Sequence, residues 1–81
     1  MSYGYTLRLR DANLEADQTL LGVRLGKLCI ENGISVVATS KQFGVTRATI
    51  YNWFSGKTEP CKVLHADVQR FIETQSQRLT A

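Results

Sequence analysis

The chain is poor in the residues that staple small folds or carry out chemistry. Its 81 residues include two cysteines, one histidine and one proline. Cys29 and Cys61 are too few and too far apart for a zinc pattern, and His65 is the only histidine, so no metal and no cofactor is expected. The same scarcity argues against an enzyme: His65 stands alone, and Ser40, Thr49 and Ser55 have no triad companions. The glycines do not form a phosphate-cradling run after a strand, and Gly22-x-x-x-Gly26 is not a nucleotide loop. No stretch of ~18 apolar residues occurs and the first residues are not charged-then-apolar, so a membrane span and a secretory leader are not expected. Internal repeats and low-complexity runs are lacking too.

What is present suits one small domain. Eighty-one residues lie near the lower size at which a single core suffices without a metal or disulfide. The hydrophobic fraction of 43% is ordinary for a globular chain. A net charge of +3 suits an anionic partner, though modestly. Cys29, on the edge of an apolar helical face beside Leu28, reads as a small buried thiol, and a disulfide to Cys61 is disfavoured in a reducing compartment.

The most informative stretch is residues 36–53, VVATSKQFGVTRATIYNW. It reads as two short helices joined at Gly44, which tolerates the positive φ that a sharp helix-to-helix turn needs. Thr46 offers an N-cap hydroxyl to the second helix. The helical period then places Ile50, Trp53 and Phe54 on an anchoring side, and Arg47, Ala48, Tyr51 and Asn52 on a free polar side. The combination is a helix-turn-helix signal.

Around it, residues 1–10 alternate, with Tyr3, Tyr5, Leu7 and Leu9 on one face and Gly4, Thr6, Arg8 and Arg10 on the other, a strand period. Asp11-Ala12-Asn13 breaks it, which divides the chain into an extension over 1–12 and a helical domain over 13–81. The first helix begins near Asn13 or Asp17 and stops near Asn32-Gly33. The motif helices run about 35–43 and 46–54. The last segment, one helix or two with a small bend, starts at Glu59-Pro60 and carries a stripe of Leu64, Val68, Phe71, Ile72 and Leu79. Its second half has no obvious core left to cover, and a partner subunit could supply that surface. Gly22 and Gly26, each costing ~1 kcal/mol in a helix relative to Ala, suggest a second contact face around Val23 and Ile30, smooth enough for a close neighbour. The N-terminal segment packed over that patch would be a brace within one chain or a dimer contact between two. Alternatively it is an arm whose Arg8 and Arg10 reach phosphates or a minor groove.

In order and spacing, Leu21-Gly22-x-x-Leu25, Gly33-Ile34-Ser35, Gly44-Val45-Thr46, Ile50-x-x-Trp53 and Gly56-Lys57-x-x-Pro60 resemble the DNA-binding domain of the lambda repressor and Cro family, the xenobiotic-response-element type. The resemblance spans about half the chain. It implies a compact all-α domain of four or five helices, here with a short N-terminal extended segment. It also implies sequence-specific binding of double-stranded DNA by a transcriptional regulator of phage or bacterial type, usually a repressor. Such a protein works in the cytoplasm as a homodimer on DNA. There is no room for a separate ligand-sensing domain, so no small-molecule ligand is expected. Two positions depart from the family pattern. Ser40 stands where members usually carry Ala, and its hydroxyl needs a carbonyl partner. Val36 stands where many carry a phosphate-bracing Gln, and cannot replace it.

The base-reading candidates are Arg47, Ala48, Tyr51 and Asn52. The Arg47 fork matches guanine O6 and N7, with a phosphate contact or a solvated charge as its alternatives, and the Asn52 amide matches adenine N6 and N7. Ala48 is compatible with a thymine methyl, and Tyr51 with stacking on sugar-phosphate or simple shielding of the helix. Trp53 shares the Ile50 face and is read as core. Lys41, Thr46, Thr49, Ser55 and Lys57 rim the helix as phosphate contacts, with the amides after Gly56 pointing outward. The rival reading keeps the fold and turns it on a protein, as an antirepressor, host-factor inhibitor or antitoxin-like subunit would.

Overall fold

A computed structural model describes residues 7–80 of the chain, and the side chains of residues 7–76. The described residues form five helices and no strand: α1 Leu7–Glu15, α2 Leu21–Asn32, α3 Val36–Phe43, α4 Arg47–Phe54 and α5 Lys62–Thr80. The all-α expectation holds. The strand expectation does not, since Leu7 to Arg10 open α1, while Tyr3 and Tyr5 lie outside the described residues. Asp11-Ala12-Asn13 continues the helix instead of breaking it. Leu, Arg, Ala and Glu all favour helix, and the decisive contacts are not at period two. Leu9, Ala12, Asn13 and Ala16 recur at helical spacing and are buried or half-buried, whereas Leu7 is exposed.

Polar side chains end α1. Gln18 Nε2 lies 2.8 Å from the Asn13 carbonyl and 3.0 Å from that of Ala16. Asp17 accepts from the Thr19 amide at 2.9 Å and the Thr19 hydroxyl at 2.6 Å, which holds its carboxyl below the ordinary range. Asp17 therefore organises the turn and does not cap the next helix. The start expected at Asn13 or Asp17 moves to Leu21, behind an extended Leu20 that makes no side-chain cap.

One local code ends α2 and α3. Gly33 and Gly44 adopt φ of 70° and 66°, and their amides donate to the carbonyls of Cys29 and Ser40. A half-buried β-branched residue follows, Ile34 or Val45. Then a hydroxyl caps the next helix, with Ser35 accepting from Ala38 N at 3.0 Å and Thr46 from Thr49 N at 3.1 Å. A Cβ at position 44 would meet nothing within 4 Å, so that glycine is there for its backbone conformation, not for space. Ser40 finds its partner in the Val37 carbonyl at 2.8 Å, and Val36 is buried in the core. α5 is one uninterrupted helix, its first bond running from the His65 amide to the Cys61 carbonyl at 2.7 Å.

The core gathers Leu21, Leu25 and Cys29 of α2, Val36 and Phe43 of α3, Ile50, Trp53 and Phe54 of α4, and Val68 and Ile72 of α5. Phe43 meets Trp53 and Phe71 edge-on, at centroid distances of 6.1 and 5.5 Å, which links α4 to α5 through α3. Leu79 is helical, but its side chain lies outside the described set. Cys29 is buried and unbridged, with its sulfur 3.6 Å from the Thr39 hydroxyl.

α2 and α4 cross closely because of the two helical glycines. A Cβ on Gly22 would stand 2.8 Å from both Cβ and the carbonyl oxygen of Trp53, and one on Gly26 would stand 2.7 Å from Phe54 Cγ. The smooth face does receive a close neighbour, but the neighbour is α4, with α1 beside it. Asn13, 1% exposed, donates through Nδ2 to the carbonyls of Val23 at 3.0 Å and Phe54 at 2.7 Å. That amide ties α1 to both α2 and α4, so α1 is a brace within the chain.

Candidate nucleic-acid interface

α4 is eight residues, about 12 Å long at 1.5 Å per residue. Ile50, Trp53 and Phe54 are buried at 0–3% exposure, which fixes the helix from one side. The opposite side carries Arg47, Ala48 and Tyr51, all exposed, and Asn52, half-buried. No hydrogen bond or ion pair engages the side chains of Arg47 or Asn52 among the described residues, where Arg70 with Asp67 is the sole ion pair. Both polar heads are available to a ligand.

The hydroxyls at the start of α4 are partly committed. Thr46 Oγ1 accepts the Thr49 amide and lies 3.0 Å from Thr49 Oγ1. One of the two hydroxyls donates to the other, so one proton remains for an anion at this end. Ser55 differs: it donates to the Tyr51 carbonyl at 2.8 Å, leaving no proton for a phosphate in this arrangement. The amides expected to point outward after Gly56 turn inward as well. Gly56 takes φ of 81°, and the amides of Lys57 and Thr58 both donate to the Asn52 carbonyl, at 2.9 and 3.4 Å. The exit loop thus offers the exposed Lys57 side chain, not its backbone.

The candidates fall into two groups. Thr46, Arg47, Ala48 and Thr49 occupy the start of α4, with Lys41 exposed on α3 before the turn. Tyr51, Asn52, Ser55 and Lys57 line a groove of about 310 Å³ between α4 and α1, whose far wall holds Arg8, Leu9 and Ala12. Arg8, expected on a strand or arm, stands on a helix instead, and this juxtaposition exists only because α1 is one. A further signal is legible in the sequence itself. From residue 32 to residue 58 there are three cations, Lys41, Arg47 and Lys57, and no carboxylate. The stretch is cationic by omission of acids more than by abundance of bases.

No three His, Cys, Asp or Glu side chains among the described residues are grouped to hold a metal ion. No helix of the described residues is long and apolar enough to cross a membrane. No family model, curated protein or solved structure matches the chain.

Proposed function

We propose that the chain binds double-stranded DNA in a sequence-specific manner as a small transcriptional regulator, a repressor of phage or bacterial type that pairs as a homodimer on its site. The observation that carries this reading is the division of α4: three buried anchors on one side, and on the other an exposed Arg47 and an unengaged Asn52 amide. The Asn52 amide is open to solvent, since no side-chain polar atom among the described residues is buried without a partner, and it can exchange water for a base edge. The major groove, about 12 Å wide, admits an α-helix, whose diameter with side chains is about 10–12 Å, and presents acceptor and donor pairs that match an arginine fork and an asparagine amide. Arg47 reads guanine, Asn52 reads adenine, and Ala48 and Tyr51 fill the face between them. Lys41, Lys57 and the shared Thr46–Thr49 proton hold phosphates. Two copies would place their α4 helices in half-sites ~34 Å apart.

The competing use of the fold, as a protein-binding module, draws on Val37, which is 42% exposed on α3. Selection of bound duplexes from a random pool at moderate salt separates the two. An enriched palindrome supports DNA reading by a dimer. A pool that stays random, with no salt-dependent retention of duplex, removes DNA and leaves the protein partner.

A further inference from the structure

We infer that α1 is a second phosphate-contacting element: the groove between α1 and α4 seats one strand of the DNA backbone between Arg8 and Lys57 while α4 occupies the major groove. The inference rests on the DNA-binding reading above and extends it to a helix outside the helix-turn-helix pair.

Charge is the first reason. Arg8 stands on one wall of the groove and Lys57 on the other, and no carboxylate lines it. Asp11 and Glu15 of the same helix as Arg8 are exposed and are not among the residues lining the groove. Neither Arg8 nor Lys57 has an ion-pair partner among the described residues. Two like charges facing one concavity repel each other and are relieved by a shared anion; on a duplex, each phosphate neutralised also releases condensed counterions.

Position is the second reason. Tyr51 and Asn52 belong both to the groove and to the outward face of α4, so the strand bordering the base contacts is the strand this groove meets. Rigidity is the third. Asn13 ties α1 to the carbonyl of Phe54, the last residue of α4. Arg8 lies five residues earlier on the same helix, about 7.5 Å along its axis. It is therefore held relative to α4 by a buried hydrogen bond and is not carried on a loose arm, which is the preorganisation a contact site needs.

The test measures binding to a mixed-sequence duplex and to the selected duplex across 50 to 200 mM salt. The proteins are the wild type, Arg8→Ala, Arg8→Lys, Lys57→Ala, Arg8→Ala/Lys57→Ala and Arg47→Ala, each checked by thermal melting. Arg8→Ala is expected to weaken both duplexes by the same factor and to flatten the log–log salt slope by about 0.9, so its deficit shrinks about 3.5-fold over this range. In the double variant the deficit shrinks about 12-fold, and Arg8→Lys keeps the wild-type slope. A folded Arg8→Ala protein with an unchanged slope overturns the inference, and leaves DNA reading intact if Arg47→Ala still loses discrimination. Loss confined to the selected duplex makes Arg8 a base reader and also overturns it. Retention of a poly-glutamate peptide by a wild-type chain that binds no duplex overturns both the inference and the DNA reading.

Discussion

Gly26→Ala is a substitution for which local propensity and tertiary structure predict opposite signs. Gly26 lies inside α2, where Ala is favoured over Gly by about 0.8–1.0 kcal/mol. The surroundings reverse this. The added Cβ would stand 2.6 Å from Asn13 Nδ2, 2.7 Å from Phe54 Cγ and 2.9 Å from Phe54 Cβ. Carbon contacts settle at about 3.5–4.0 Å, so roughly 1 Å must be found. Phe54 is fully buried, and Asn13 is fixed by its two carbonyl acceptors. Overpacking costs about 1–3 kcal/mol, and pulling the buried amide off its acceptors costs about 1–3 kcal/mol more. After the propensity gain, the net loss centres near 3 kcal/mol. A chain of this length has about 4–12 kcal/mol in all. With a urea m-value of about 1 kcal/mol/M, the midpoint falls by about 3 M. Gly44→Ala is the control, since it meets open space and loses only about 1–2 kcal/mol for a left-handed backbone. A Gly26→Ala protein as stable as the wild type, beside a normally weakened Gly44→Ala, would refute the docking of α1 through Asn13 and remove the geometry behind the role given to Arg8.

Three further outcomes are expected. Trp53→Ala opens a cavity beside Phe43 and Gly22 and costs ~3–5 kcal/mol, enough to unfold much of the population, as seen by melting and far-UV circular dichroism; a stable variant that has lost only DNA affinity would place the indole on the wrong face. Arg47→Ala and Asn52→Ala each lose about 1–3 kcal/mol on the selected site and relax one base pair of discrimination, and equal losses on selected and mixed DNA would remove that residue from base reading. Burial pushes the Cys29 thiol from 9.0 up to about 11, outweighing the opposing effect of its hydrogen bond with Thr39. Because the folded value is the higher one, the stabilisation is complete below pH 9 and is lost as pH rises toward 11. Wild type should lose ~2–3 kcal/mol in that window by urea denaturation, and Cys29→Ala should lack this component; identical alkaline profiles would show that the thiol ionises freely in the fold.

The all-α class, the αL glycines at 33 and 44, the Ser35 and Thr46 caps and the buried side of α4 are decided by the sequence alone. The glycine turns and the caps rest on interactions closed within about one helical turn, and the apolar side of α4 is marked by its helical spacing, so residue type and spacing carry these signals. α1 is different. Read along the chain, Leu7-Arg8-Leu9-Arg10 alternates and Asn13 looks like a breaker. In the fold, Asn13 is a buried anchor because its acceptor on Phe54 lies 41 residues away, beside a glycine that leaves it room. The inward turn of the Lys57 and Thr58 amides and the meeting of Arg8 with Lys57 across one groove were equally out of reach. Periodicity reports which side of an element seeks burial; it does not name the partner that side meets. That choice is made by how helices cross, and here the crossing is permitted by the missing side chains of Gly22 and Gly26, whose effect exists only once α4 lies against them.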